Sequence, residues 1–128
     1  DRITEATSCA LCGCGETLFS TLLPGTRLRP HCGSTNARLT CHFGVDVPSG
    51  DLRIRCGDET RKWAHGDSVV FDDSFEHCVD HDGAAPRTVL LMNFWHPDFP
   101  EHLRTPSWRT QAAHAGELGK YDVRVGGC

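Results

Sequence analysis

Residues 71–77, FDDSFEH, set three carboxylates, Asp72, Asp73 and Glu76, among two phenylalanines and end on His77. The preceding HGDSVV closes on an apolar β-branched pair suited to burial, so a strand delivers this charged run to its position. Two further groups have matching chemistry. His31 lies between LRP and CG, at a turn on a strand edge, and Arg87 follows the HDGAAP turn and opens the apolar run TVLLMNFW. In a small barrel, two histidines from distant strands can meet at the mouth and hold a metal. A guanidinium buried inside needs an anion.

Such a barrel is what the rest of the chain implies. Gly and Pro punctuate the sequence at PG (24–25), HCG (31–33), PSGD (48–51), CGDE (56–59), HGD (65–67) and HDGAAP (81–86). The segments between them are ETLFSTLL, ARLTCHFGVDV, DLRIRC, DSVVFDD, EHCVDH and RTVLLMNFW, rich in β-branched and aromatic residues. ARLTCHF and DLRIRC alternate polar with apolar residues as half-buried strands do. This is an all-β pattern, a sandwich or barrel. Beyond residue 100, WRTQAAHAGELG reads as a short helix too polar for a core; a helical tail packed outside the barrel, anchored by Trp108, is expected.

With 128 residues the chain suits a single domain, 1–128. The net charge of −4 and the scattering of 13 basic among 17 acidic residues form no basic stripe, which argues against a nucleic-acid partner. No apolar run reaches the ~20 residues a membrane-spanning helix requires, so no membrane contact is expected from this segment. The chain does not begin with methionine and opens in mid-sequence style, as an N-terminally truncated piece of a longer protein would. Eight cysteines leave three readings open: disulfides for some, a zinc half-site in CALCGC, where Cys9 and Cys12 have C-x2-C spacing without a downstream partner pair, or thiols.

LLPGTRLRPHCGSTNARLTCHFGV, LRIRCGDETRKWAHGDSVVFDDSFEHCV and PRTVLLMNFWHPDF together resemble the aspartyl/asparaginyl β-hydroxylase family over about residues 17–99. The resemblance implies a double-stranded β-helix, a jelly-roll, cupin-like barrel. It also implies an Fe(II)- and 2-oxoglutarate-dependent dioxygenase that hydroxylates the β-carbon of Asp or Asn. The partner would be a peptide or protein bearing Asp or Asn, or a small acidic metabolite. By motif position, His31 and His77 match the iron ligands. Gly33 stands where many 2-oxoglutarate oxygenases carry a third, carboxylate ligand, and the family shares that gap. Ser20 and Arg87 match the residues that hold the distal carboxylate of 2-oxoglutarate, His42 one near the keto-acid end, and Arg38 one that grips the substrate's acidic side chain.

Asp72 and Asp73 are expected to orient the site, or to be solvated turn acids. Arg55 and Trp63 read as strand and packing residues, His96 as a strand-ending turn, and His65, His81, His102 and His114 as surface residues. The family usually reads R-x-R-x-H where this chain has RLTCH, so Thr40 replaces an arginine. Its catalytic region also extends further N-terminal, with another substrate-facing arginine. A neutral hydroxyl cannot supply the lost charge, which leaves a second expectation: a catalytically impaired metal- or ligand-binding module on the same barrel. The resemblance is compatible with a cytoplasmic domain, or with the endoplasmic-reticulum lumen if an anchor precedes Asp1.

Overall fold

The computed structural model describes residues 2–122, and its strands arise where the sequence alternates. Eight strands are formed: β1 (Thr17–Leu22), β2 (Arg27–His31), β3 (Arg38–Asp46), β4 (Gly50–Cys56), β5 (Glu59–Arg61), β6 (Ser68–Phe71), β7 (His77–Gly83) and β8 (Arg87–Trp95). They build two antiparallel four-stranded sheets, ordered β1-β8-β3-β6 and β2-β7-β4-β5. Two facing sheets with strands crossing repeatedly between them form a jelly roll, the expected fold.

Pleat sets what each sheet turns inward. Along β8, Arg87, Val89, Asn93 and Trp95 are buried, and along β7, His77, Val79 and His81 are buried, so polar groups share the inner faces with aliphatic ones. One end of the interior is an apolar cluster of Leu52, Ile54, Trp63, Val79 and Val89, with Leu22, Val47, Val69 and Phe71 against it. That cluster closes one end of the sandwich and leaves the polar rungs beyond it to line a cavity.

Two strands escape the alternation rule. β2, RLRPH, is exposed at every position, and β5 has three residues, also all exposed. Both are edge strands, where pairing on one side replaces burial as the source of order, and Pro30 is tolerated for that reason. His31 therefore lies in a strand, in direct register with His77 of β7, and not at the turn the sequence implied.

A helix, α1 (Arg2–Leu11), precedes the barrel; the sequence reading contained no helix there. CALCGC ends it. The Cys14 amide donates to the Cys9 carbonyl (3.1 Å) and the Gly13 amide to the Ala10 carbonyl (3.0 Å), with Gly13 at φ 66°. This is a Schellman cap, whose left-handed position favours glycine. Cys9 and Cys14 are buried in it, Cys12 packs against the same cluster, and Cys9, Cys12, Cys14, Cys56 and Cys78 are thiols. CALCGC thus serves as helix punctuation, and among the described residues no group of three His, Cys, Asp or Glu side chains is arranged to hold a metal ion.

The C-terminal tail packs outside the barrel as expected, broken at Gly116 into α2 (Trp108–His114) and α3 (Leu118–Tyr121) after a 3-10 turn at Glu101–Leu103. Trp108, 1% exposed, meets Phe99 edge to face at 5.4 Å, and Phe99 stacks on Trp95 of β8 at 5.2 Å. Ala112, one turn on, shares that face, so α1, the tail and the end of β8 make a second apolar cluster. Trp108→Ala is expected to cost about 3–5 kcal/mol of unfolding free energy, the usual cost of a large buried aromatic. Equilibrium denaturation monitored by circular dichroism measures it; a loss below ~1 kcal/mol would mean the tail is not an anchored part of the fold.

Candidate active site

A cavity of about 190 Å³ opens between the sheets, and Ser20, His31, Arg38, Thr40, His42, His77 and Arg87 all line it. Every residue matched by motif position to an iron, cosubstrate or substrate role therefore faces one space, while Asp72 does not. Asp73, Glu16, Phe71, Leu91 and Asn93 share its wall.

The two histidines come from paired positions on β2 and β7, and their ring centroids are 4.2 Å apart. Each Nδ1 bonds a backbone carbonyl two residues earlier: His31 to Arg29 at 2.6 Å, His77 to Phe75 at 2.9 Å. A carbonyl oxygen only accepts, so the proton sits on Nδ1 in both rings and each neutral imidazole keeps its lone pair on Nε2. Burial holds His77 below the usual histidine range. Two imidazoles whose Nδ1 atoms are held by local backbone, leaving Nε2 to coordinate, are a donor set suited to a divalent transition metal.

The carboxylates do not do this orienting. Asp72 Oδ1 accepts from the Ser74 amide (3.0 Å) and hydroxyl (2.6 Å), which makes it a turn acid. Asp73 instead pairs with Arg38, Nη2 to Oδ2 at 3.0 Å, while Arg38 Nη1 donates to the Cys14 carbonyl at 2.6 Å. Asp73 also presses on Gly33: a Cβ there would lie 2.7 Å from the Asp73 carboxyl carbon, and the Gly33 amide donates to the Asp73 carbonyl at 2.6 Å. The position that carries a third ligand in many oxygenases is thus occupied by the backbone's contact with Asp73.

Arg87, on β8, is 1% exposed. Its guanidinium lies over the Trp63 ring at 4.6 Å, and Nη2 reaches the carbonyl and hydroxyl oxygens of Ser20 only at 3.5 Å. Nε and Nη1 are buried without a hydrogen-bond partner among the described residues. Desolvation lowers its pKa to about 10, which still leaves it cationic at neutral pH. A buried cation with unspent N–H groups in a cavity wall fits an anion, and the planar fork favours a carboxylate.

His42 has the opposite tautomer to the paired histidines. The Trp63 indole N–H can only donate, and it meets His42 Nδ1 at 3.3 Å, so the His42 proton is on Nε2. Trp63 thereby supports both Arg87 and His42, a role the packing reading of the sequence missed; a tryptophan at a turn gives no local signal of it. Asn93 was missed too. Its Nδ2 donates to Thr40 Oγ1 at 2.8 Å and its Oδ1 accepts from the Glu16 amide at 2.8 Å, tying β8 to β3 and to the residue just before β1. Arg55 pairs with Glu76 at 2.8 Å at the surface, and His96 follows β8 as a turn. His65, His102 and His114 are exposed, as expected. His81 corrects the surface reading: it is fully buried, with Nδ1 accepting from the Gly83 amide at 3.0 Å.

Burial, and next the Arg87 charge, lower His42 from 6.5 to about 4. The unfolded chain then takes up a proton near pH 6.5 that the folded chain refuses until about pH 4. Stability from this group is whole above that window and is lost as pH falls through it, by about 3 kcal/mol. NMR titration of the His42 ring should give a midpoint near 4, with denaturation midpoints falling over the same range. A His42 midpoint at the ordinary histidine value would contradict the buried, Trp63-bonded ring.

Comparison with known proteins agrees with this geometry. Residues 2–97 match the family model described as aspartyl/asparaginyl beta-hydroxylase. The mouse and human proteins named aspartyl/asparaginyl beta-hydroxylase are each 38% identical over 104 residues, 81% of this chain but only 14% and 13% of their own lengths. Mouse aspartate beta-hydroxylase domain-containing protein 1 is 45% identical over 87 residues, 66% of this chain and 24% of that protein. Among solved structures, a predicted oxalate decarboxylase from Thermotoga maritima superposes with a TM-score of 0.50 at 16% identity, covering 68% of this chain and 72% of that one, a likeness of fold alone. No described helix is long and apolar enough to cross a membrane. With three-quarters of its length matched in order, and the matched motifs converging on one cavity, the chain belongs to the aspartyl/asparaginyl β-hydroxylase family.

Proposed function

We propose that this chain is an oxygenase domain that binds Fe(II) and 2-oxoglutarate and hydroxylates the β-carbon of an asparaginyl or aspartyl side chain in a peptide or protein. The observation that carries the reading is the pair His31 and His77, in register across two strands with both Nδ1 protons spent on backbone carbonyls. When bound, iron and the keto acid would supply activation of dioxygen, one oxygen atom going into the succinate left by decarboxylation of 2-oxoglutarate and the other into hydroxylation of a C–H bond.

The protein's own part is binding and orientation. His31 and His77 would hold the metal through Nε2. Arg87, with Ser20 beside it, would take the distal carboxylate on its unspent N–H groups, and burial makes that interaction strong and directional. His42, kept neutral, offers Nε2–H as a donor toward an acid oxygen in the cavity without adding a charge. Phe71, with its ring 5.2 Å from His42 and 5.4 Å from His77, separates these groups with an apolar wall and limits water around the reacting atoms.

Thr40 favours a second reading. The Thr40 and Asn93 rung puts a neutral hydroxyl where the family's pattern has an arginine, and a barrel lacking that charge could bind metal and ligand without turnover. Anaerobic titration with Fe(II) and 2-oxoglutarate separates these readings from loss of the site altogether. A visible charge-transfer band is expected in the wild type and absent in His77→Ala; a folded chain with no band would overturn the metal and cosubstrate assignment. If the band forms, product analysis under oxygen decides between oxygenase and binding module. Arg87→Lys, which keeps the charge but loses the fork, should raise the 2-oxoglutarate concentration at half-saturation at least about tenfold. An unchanged value would show that the distal carboxylate lies elsewhere.

A further inference from the structure

The cavity has two ends with different electrostatics. Arg87 marks one. Arg38, Asp73, Thr40 and Asn93 mark the other, and Asn93 lies six residues beyond Arg87 on β8, about 20 Å along the strand at ~3.4 Å per residue. The Arg87 guanidinium therefore does not serve both.

At the far end the cation is already used. Arg38 has Nη2 on Asp73 and Nη1 on the Cys14 carbonyl, and both side chains of the ion pair are largely buried, 20% and 12% exposed. Thr40 adds no charge, since its hydroxyl accepts the Asn93 amide, and Glu16 adds a further acid to the wall. Two buried atoms remain without a hydrogen-bond partner among the described residues: Arg38 Nε, a donor, and Asp73 Oδ1, an acceptor.

We infer that this end of the cavity is built for an uncharged carboxamide, an asparagine-type side chain, in preference to a carboxylate. A carboxamide carries one acceptor and one donor group, the complement of Arg38 Nε–H and Asp73 Oδ1, and leaves the ion pair electrically neutral. A carboxylate carries only acceptors. It would leave Asp73 Oδ1 unpaired and bring a like charge beside it in a largely desolvated wall, where such a contact is costly. The inference rests on the reading of this cavity as the substrate site, and it narrows Asp or Asn to Asn.

Arginine side-chain NMR tests the two ends separately. In the 15N-labelled chain loaded with Zn(II), a diamagnetic stand-in for Fe(II), the Arg38 and Arg87 Nε–H resonances are assigned with Arg38→Lys and Arg87→Lys. 2-Oxoglutarate should move Arg87. With 2-oxoglutarate saturating, propionamide and propionate are then titrated as side-chain mimics. Propionamide is expected to move Arg38 with a half-saturation at least about tenfold lower than propionate. Asp73→Asn, which removes the neutralising charge and, with its amide oxygen kept on Arg38, puts an NH2 donor where Oδ1 was, should reverse that order.

Equal or better binding of propionate by the wild type, or no Arg38 response to either probe, overturns the inference. So does an Asp73→Asn chain that binds both more weakly in the same ratio, since that pattern belongs to a purely structural Asp73. The wild-type comparison stands even if the variant fails to fold. Loss of the Arg87 response to 2-oxoglutarate, with the Arg38 preference for propionamide intact, would count against the cosubstrate assignment and not against the carboxamide end.

Discussion

A guanidinium sealed inside a protein must be matched by something, and Arg87 is sealed: the facing sheets and the Trp63 ring leave it 1% exposed, with two nitrogens that have no hydrogen-bond partner among the described residues. Burying a charge without a full set of partners costs several kcal/mol that the fold recovers elsewhere. Here the recovery surrounds the charge. Trp63 stacks on Arg87 and spends its N–H on His42, while Val89, Ile54 and Leu52 build the apolar plug in which Trp63 sits. The same packing that strands the cation keeps His42 neutral, because desolvation and the nearby positive charge act on its imidazole in one direction. Stability is given up at this end of the barrel, and a cation-lined end suited to an anion is obtained.

Much of the fold was legible because burial and strand period coincide. β4, β7 and β8 alternate, β3 is buried on both faces over Thr40–His42, and the turns carry Gly or Pro where the chain reverses. β2 was not legible, since an edge strand exposed at every position leaves no period to read; its order comes from pairing with β7. α1 was hidden for another reason. Its capping sequence has cysteines at the two contacting positions of a Schellman motif, and cysteine spacing invites a metal reading before a helix-end reading. What decides between them is the apolar cluster made with Trp95, Phe99 and Trp108, residues about 80 to 100 positions away in sequence.

The site divides in the same way. Ser20, His31, Arg38, His42, His77 and Arg87 could be named from motif position, and all face one cavity. Their partners could not. Which acid meets Arg38, which carbonyl takes each histidine proton and which residue answers Thr40 depend on register and on loop placement. Asn93 in particular reads as one polar residue in an apolar strand until the pairing of Thr40 with Asn93 is known. FDDSFEH divides into three jobs: Asp72 shapes the turn, Asp73 neutralises Arg38, and Glu76 pairs with Arg55 at the surface.

These links make the two-histidine arrangement and the committed arginine a single constraint. A side chain at position 33 would begin 2.7 Å from the Asp73 carboxyl carbon, so a third ligand from that strand end requires Asp73 to leave. If Asp73 leaves, Arg38 loses its counter-charge inside a cavity that already contains Arg87, and two cations then share one wall. Arg38 is also bonded to the Cys14 carbonyl, the residue that closes the Schellman cap of α1, so moving the arginine disturbs the helix packed outside the barrel. A glycine at 33 is thus required by the Asp73 carboxyl group packed on it, and adding a carboxylate there would have to be matched by changes at 38 and 73 together. The backbone beside His31, the charge at the Arg38 end of the cavity and the docking of the first helix are linked by one chain of contacts, Gly33 to Asp73 to Arg38 to Cys14.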